Sequence, residues 1–419
     1  MNDQNKPTKT ETNAPLADIV VVDLTRVLAG PWATQLLADM GATVIKIERP
    51  GTGDDTRSWG PPFYMDKEQN RSDAAYFMAA NRGKKSICID LKSKEGQGLV
   101  RQLAANADVI VENFKVGAMA KMGLDFATLN NLNPKLIYCS ITGFGQTGPM
   151  KDNPGYDYII QALSGMMSIT GSADGEADAG PMRTGVAISD LITGFYASNA
   201  ILAALMHAQK TQEGQHIDLS LLDSQMAALI NQATCWMQNG QTPVRTGSSH
   251  PNLTPYGIYN SSDGEFVLAI GNDAQFDRFC EFAGRSELSS DSRFRTSADR
   301  LENREALQAC LVPVLASRPT DCWLEGLAAI GVPAGPIQNI PEAFDMEQSK
   351  ARNMTLSQSR ADLLQVIKTP ASPIRFSKTP VSENIPPPSL GADSTEILKQ
   401  NLQLSEFEIA RLRKNKIVF

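Results

Sequence analysis

The chain has 419 residues, 42% of them hydrophobic and 20% charged, which is material for more than one folded domain and excludes disorder or a collagen-like repeat as a description of the whole. Lys and Arg number 39 against 46 Asp and Glu, a net charge of −7 that weighs against broad capture of nucleic acid or of an anionic membrane surface. Three histidines and six cysteines, none in a CxxC pair, leave little for a zinc cluster or a Ser-His-Asp triad; the cysteines read as free thiols of a reducing compartment, the cytoplasm.

The first 14 residues are polar, lack the apolar core of a secretory signal, and are expected to be disordered. Residues 19–24 form a continuous apolar run, the mark of a strand buried on both faces. A loop follows, then a helix over 32–40 with Pro31 in its first turn, and a strand over 43–48. The pattern recurs as a strand at 86–91, a helix at 94–106, and strands at 108–112 and 136–142. Strands alternating with helices of this length predict βαβ units and a parallel sheet. Helices are predicted over 156–167, 190–209 and 222–238, with a strand at 216–221. Residues 191–208 are the longest apolar stretch, but Thr193, Ser198, Asn199 and His207 interrupt it, so a buried helix is expected rather than a membrane span. From 241 onward Gly, Ser, Pro and Asn become frequent, and 257–270 reads as a hairpin. The domain plan is therefore a large domain over 15–221, a linker over 222–245, a small domain over 246–330, a second linker over 331–350, and a return to the large domain over 351–419.

In open parallel sheets, ligands bind beyond the carboxyl ends of the strands. Those positions carry residues 26–30, 49–57, Lys92, Asn113, Phe114 and 143–145. Glu48 ends the second strand, where a dinucleotide fold keeps its ribose carboxylate, but the first loop has no GxGxxG. Asp190 opens the long apolar helix. It reads first as an N-cap, a role compatible in part with a carboxylate nucleophile held at a helix start with a lowered pKa.

Many short motifs point one way: RVLAGP at 26–31, GATVIKIERP at 41–50, GDDTR at 53–57, NRGKKS at 81–86, VENF at 111–114, SITGFGQTGP at 140–149, GYD at 155–157, GVAISD at 185–190, GVPAGP at 331–336 and PSLG at 388–391. Together they resemble the class III CoA-transferases, the family of formyl-CoA and carnitine CoA-transferases. Residues 53–62 and 138–149 are most similar to its succinate–hydroxymethylglutarate branch. The resemblance implies an α/β fold: a Rossmann-like large domain plus a smaller α+β domain, in an interlocked homodimer. It implies a transfer of CoA between carboxylic acids through an aspartyl-acyl anhydride and an aspartyl-CoA thioester on Asp190. It places CoA contacts on Leu28, Ala29, Arg49, Ile89, Asp90, Leu91, Lys92, Asn113, Phe114, Lys121 and Tyr156. The implied partners are acyl-CoA, small carboxylic acids and a second copy of the chain, with no metal, permanent cofactor, nucleic acid or membrane. Arg57 is expected to join Arg49, Lys92 and Lys121 in meeting the phosphates of CoA.

The chain departs from formyl-CoA transferase in places. Leu28 replaces a polar Gln, Lys121 replaces an Arg, Pro154 replaces a Lys, and the glycine-rich lid has no counterpart. The acceptor is expected to be a short dicarboxylate, its distal carboxylate meeting His250 with Asn252 and Tyr256 nearby. A related racemase or isomerase would need an acid–base pair near the thioester, and no histidine lies between 81 and 206. A non-catalytic nucleotide-binding protein is the remaining alternative.

Overall fold

The computed structural model describes residues 13–177 and 179–419; the expectation for residues 1–12 lies outside them. The predicted strand segments become six parallel strands: β1 (Val20–Asp23), β2 (Thr43–Glu48), β3 (Lys84–Cys88), β4 (Val109–Glu112), β5 (Ile137–Thr142) and β6 (His216–Ser220). Their order across the sheet is β3-β2-β1-β4-β5-β6, the doubly wound order in which the chain reverses direction between β1 and β4. Successive residues point to opposite faces, so Val21 and Val22 are both fully buried, in different cores. One core lies under α1 (Ala29–Asp39) and the later α4 (Ile188–Thr211). The other lies under α2 (Lys94–Ala105), whose start is capped by Ser93. The C-terminal segment completes that second core with Ile397, Leu398, Ile409 and Leu412. Asp393 bonds through its carboxylate to the Ser86 amide at the edge strand.

The chain divides into two compact units. One comprises residues up to 166, 184–234 and 347–419, and the other 167–183 and 235–346. Residues 167–183, expected in the large domain, thus cluster with the second unit. That unit is built on a three-stranded antiparallel sheet, β7 (Tyr256–Asn260), β8 (Glu265–Ala269) and β9 (Ala334–Pro336), with Phe266, Phe276, Phe279 and Trp323 fully buried. The stretch 331–336, expected as a linker, therefore supplies an edge strand. The linker expected at 222–245 is largely helical. The single helix expected at 222–238 is two, α5 (Leu221–Ala227) and α6 (Ile230–Asn239), interrupted where Ile230 takes a left-handed φ of 39°.

The long apolar helix α4 has the length and composition of a membrane span, with 44% of its most apolar window buried within the protein. It meets α1 at Gly194, where an added Cβ would lie 2.9 Å from the Ala29 carbonyl oxygen and 2.8 Å from the Trp32 ring. Glycine there lets the start of α4 approach the start of α1. This approach builds the site.

Candidate active site

The loop after β1 is held from below by buried charge. Lys46 and Asp54, both with fully buried side chains, pair at 2.9 Å. Lys46 Nζ also donates to the Thr25 carbonyl at 2.9 Å, and Asp54 Oδ1 accepts the Val27 amide at 3.2 Å. Val27, a β-branched residue, sits at φ 73°, a strained conformation that persists where its surroundings over-determine it. Asn113, at the end of β4, clamps the same loop across the switch point. Its Nδ2 donates to the Arg26 carbonyl at 2.7 Å, and its Oδ1 accepts the Arg26 amide at 3.0 Å. Asp23 accepts from Thr25, Thr34 and Lys84. Burial alone would raise the Asp23 carboxyl, but the adjacent Lys84 and Lys46 overcome it and hold it well below the usual range. Burial drives Lys84 itself down to about 8, against the pull of Asp23.

Above this floor run two cavities with Arg26 and Phe114 as common walls. The first, about 200 Å³, is lined by Arg26, Val27, Ala29, Asn113, Phe114, Lys115, Lys151, Tyr156 and Asp190 among others. The second, about 270 Å³, is lined by Arg49, Ile89, Asp90, Leu91, Lys92 and Phe114 together with the ends of β1 and β2. The Arg26 guanidinium lies 5.9 Å over the Phe114 ring and bonds Asp55 at 2.8 Å, while Arg49 pairs with the same carboxylate. Gly143 and Gly155 let two backbones touch: a Cβ on Gly143 would lie 2.6 Å from the Gly155 Cα. That approach leads the chain to Tyr156, which is 64% exposed at the rim of the first cavity.

Asp190 is not the N-cap of its helix. The helix begins two residues earlier, Ala187 occupies the cap without a side-chain bond, and Asp190 falls in the first turn. Nor is its pKa lowered. Burial, and then the charge of Asp157, push the Asp190 carboxyl up to about 7, with only the Ala29 amide opposing them. The helix start is too weak to outweigh a desolvated site with a second carboxylate beside it. Tyr76 lies close enough that, after burial, the charges of Asp190 and Asp157 raise its phenol too.

Of the sequence-predicted contacts, Ala29, Asn113, Phe114 and Tyr156 share the Asp190 cavity, and Arg49 and residues 89–92 share the second. Leu28 is buried at the start of α1 and lines neither, and Lys121 is exposed outside both walls. Arg57 lines neither cavity. It is buried against Glu48 at 2.7 Å and Asp73 at 2.8 Å, and Glu48 is itself held by Ser86 Oγ at 2.6 Å, so neither is available to phosphate or ribose. Sequence reasoning missed Lys115 and Lys151, cations on the Asp190 cavity; Lys115 directly follows Asn113 and Phe114, which was signal enough to find it. In the second unit, His250 Nδ1 accepts the Asn252 amide at 3.0 Å, and its ring lies 5.0 Å from that of Tyr256. Burial, then the Arg304 guanidinium, lowers the His250 pKa, so the imidazole is held neutral.

Residues 16–394 match the model of CoA-transferase family III. The chain is 48% identical to a succinate–glutarate CoA-transferase of Agrobacterium fabrum over 92% of its own length and 95% of the relative's. It is 40% identical to a human succinyl-CoA:glutarate CoA-transferase, covering 96% and 90% of the two chains. Its fold resembles the crystal structure of a CAIB/BAIF family protein from Brucella suis, with a TM-score of 0.80 and 45% identity over 93% of this chain and all of the other. A doubly wound sheet with a groove across its switch point, and likeness along nearly the whole chain to transferases of dicarboxylate CoA esters, lead to one assignment: the protein belongs to CoA-transferase family III and is a CoA-transferase.

Proposed function

We propose that this enzyme moves CoA from a dicarboxylyl-CoA, succinyl-CoA in the first instance, to a second dicarboxylate of the size of glutarate, with Asp190 as the covalent nucleophile. The observation that carries the reading is the Asp190 carboxylate on the wall of the groove, desolvated but still ionised in part near neutral pH. Asp190 attacks the thioester carbonyl, the C–S bond breaks, and CoA leaves as thiolate from a mixed anhydride. The thiolate then attacks the aspartyl carbonyl, and the donor acid departs with the C–O electron pair. The acceptor carboxylate attacks the resulting aspartyl-CoA thioester, and the second anhydride is resolved by the thiolate at the acceptor's acyl carbon. In this reading amides of the glycine-bearing loops receive the oxyanions. Every step uses electron pairs of carboxylate and thiolate, so the chemistry needs no metal or redox group.

In this reading the second cavity takes the phosphorylated end of CoA, beside Arg49 and Lys92, and the pantetheine arm passes Phe114 to reach Asp190. His250, Asn252 and Tyr256 form the acceptor's selectivity loop. The working form is a homodimer, for which the support is exposed apolar surface on α3 (Asp157–Leu163), α4 and α5: Tyr158, Ile159, Phe195, Tyr196 and Met226. The six cysteines are free thiols, in keeping with residence in the cytoplasm.

The test is a matrix of acyl-CoA donors against mono- and dicarboxylic acids, read by mass spectrometry of the CoA esters. Transfer from succinyl-CoA to glutarate, with formate inert, is the expected outcome. Transfer to monocarboxylates alone would overturn the substrate assignment, and no transfer to any acid would overturn the reaction. Sedimentation of an active monomer would remove the dimer from the reading.

A further inference from the structure

The helix that carries Asp190 begins without a cap of its own, since Ala187 has no side-chain acceptor for the first free amides. The acceptor comes from another element. Asp157, the first residue of α3 (Asp157–Leu163), takes the Ser189 amide on Oδ1 at 2.8 Å, at the residue immediately before Asp190. Its Oδ2 takes Nε2 of the fully buried Gln161 at 2.8 Å, and Gln161 Oε1 in turn takes the Thr184 amide at 3.0 Å. One carboxylate thus ties α3 to the chain that enters α4.

We propose that Asp157 is a positioning residue for the transfer. It caps α4 from outside, fixing the Asp190 backbone, and its negative charge favours every state in which Asp190 is neutral, the acyl anhydride and the CoA thioester included. This inference rests on Asp190 being the nucleophile. When Asp190 bonds to the acyl carbon and the C–S electron pair leaves with the thiolate, the negative charge departs from beside Asp157. Two like charges become one. The other groups around Asp190 do not duplicate this role. The Ala29 amide on α1 stabilises the ionised form, the Tyr76 phenol is uncharged at neutral pH, and Arg26, Lys115 and Lys151 line the cavity as cations.

The same charge raises the affinity of Asp190 for a proton, which gives a readout that a purely structural cap would not move. Asp157→Asn retains an acceptor for the Ser189 amide but removes the charge and disturbs the Gln161 bond. Gln161→Met disturbs that bond and keeps the charge. The pH dependence of kcat is measured for the wild type and both variants. Asp157→Asn is expected to move the acidic limb to lower pH by about one unit and to lower the plateau kcat about tenfold, while Gln161→Met leaves the limb in place. Asp157→Ser, a shorter cap without charge, replaces Asp157→Asn should the latter not fold. An unmoved limb in the charge-removing variant, or the same movement in Gln161→Met, overturns the inference. Absence of transfer in the wild type overturns instead the reading of Asp190 on which it rests.

Discussion

The two sides of the loop after β1 use charge in opposite ways. Below it, Asp23, Lys46, Asp54, Lys84, Glu48 and Arg57 are buried and answered by one another. Above it, Lys92 sits toward solvent, and Arg26 and Arg49 are only partly covered and share Asp55. Arg49 shares one short motif with Lys46 and Glu48, and nothing in residue type tells the two sets apart. The difference teaches that charged positions near a groove divide between those paired with one another beneath the loops and those left toward solvent. Removing one partner of a buried pair strands the other's charge, whereas removing a rim cation costs local attraction that salt screens.

Asp190 lies at the boundary between the two regions and is the place to break the comparison most severely. Asp190→Asn should cut transfer at least about a thousandfold, the loss expected of a covalent nucleophile, with acyl-CoA binding by calorimetry intact. It should also gain stability, and the sign is fixed by linkage. The folded carboxyl titrates at about 7, above its unfolded value of 3.8. The folded state therefore holds the proton more tightly, and stability drains away as pH rises from 4 through 7. Melting temperatures of wild type and variant should converge near pH 4 and separate by pH 8, the variant melting higher. A variant that melts lower at pH 8 would show that Asp190 is a structural group.

Lys46→Met tests the floor. Asp54 would remain buried with its partner gone, and a loss of about 3–5 kcal/mol in denaturant unfolding is expected. A loss under about 1 kcal/mol would place Lys46 with the rim. Arg49→Ala and Lys92→Ala test the rim itself. Each should raise the acyl-CoA KM several-fold with kcat unchanged, the effect fading in high salt, and should leave stability within about 0.5 kcal/mol. His250→Ala is expected to have the smallest effect. Because the imidazole is held neutral, it offers a hydrogen bond rather than a full charge, so the dicarboxylate KM should rise about threefold to tenfold while the acyl-CoA KM stays put. Equal movement of both constants would remove His250 from acceptor selection.

The inner strands of the parallel sheet were legible because strands buried on both faces are written as apolar runs, and edge strand β6 because its residues alternate. The short β9 was not: a Gly-Pro-rich triplet acquires strand form only by pairing with β8. The break between α5 and α6 was hidden for a related reason, since Ile230 has no turn chemistry to announce its left-handed backbone. Asp190 could be located from its motif, but its proton affinity could not, because that depends on Asp157 from another helix and on the depth of burial. Arg57 read as a phosphate ligand, since sequence does not reveal that Glu48 and Asp73 close around it. The strain at Val27 left no trace at all in residue type.

The way the C-terminal segment returns to the sheet has a consequence for biosynthesis. Edge strand β3 is bonded to Asp393, 307 residues further along the chain, and its core face is finished by Ile409 and Leu412. At about 5–20 residues per second, a ribosome needs roughly 15–60 s to make the intervening chain. Throughout that interval the nascent large domain presents an unfinished apolar face, and the contacts that close it have very long loop-closure distances. A stop codon that removes only the last helix would therefore leave that face open permanently, and the product would aggregate or be degraded with every residue of its active-site groove still encoded.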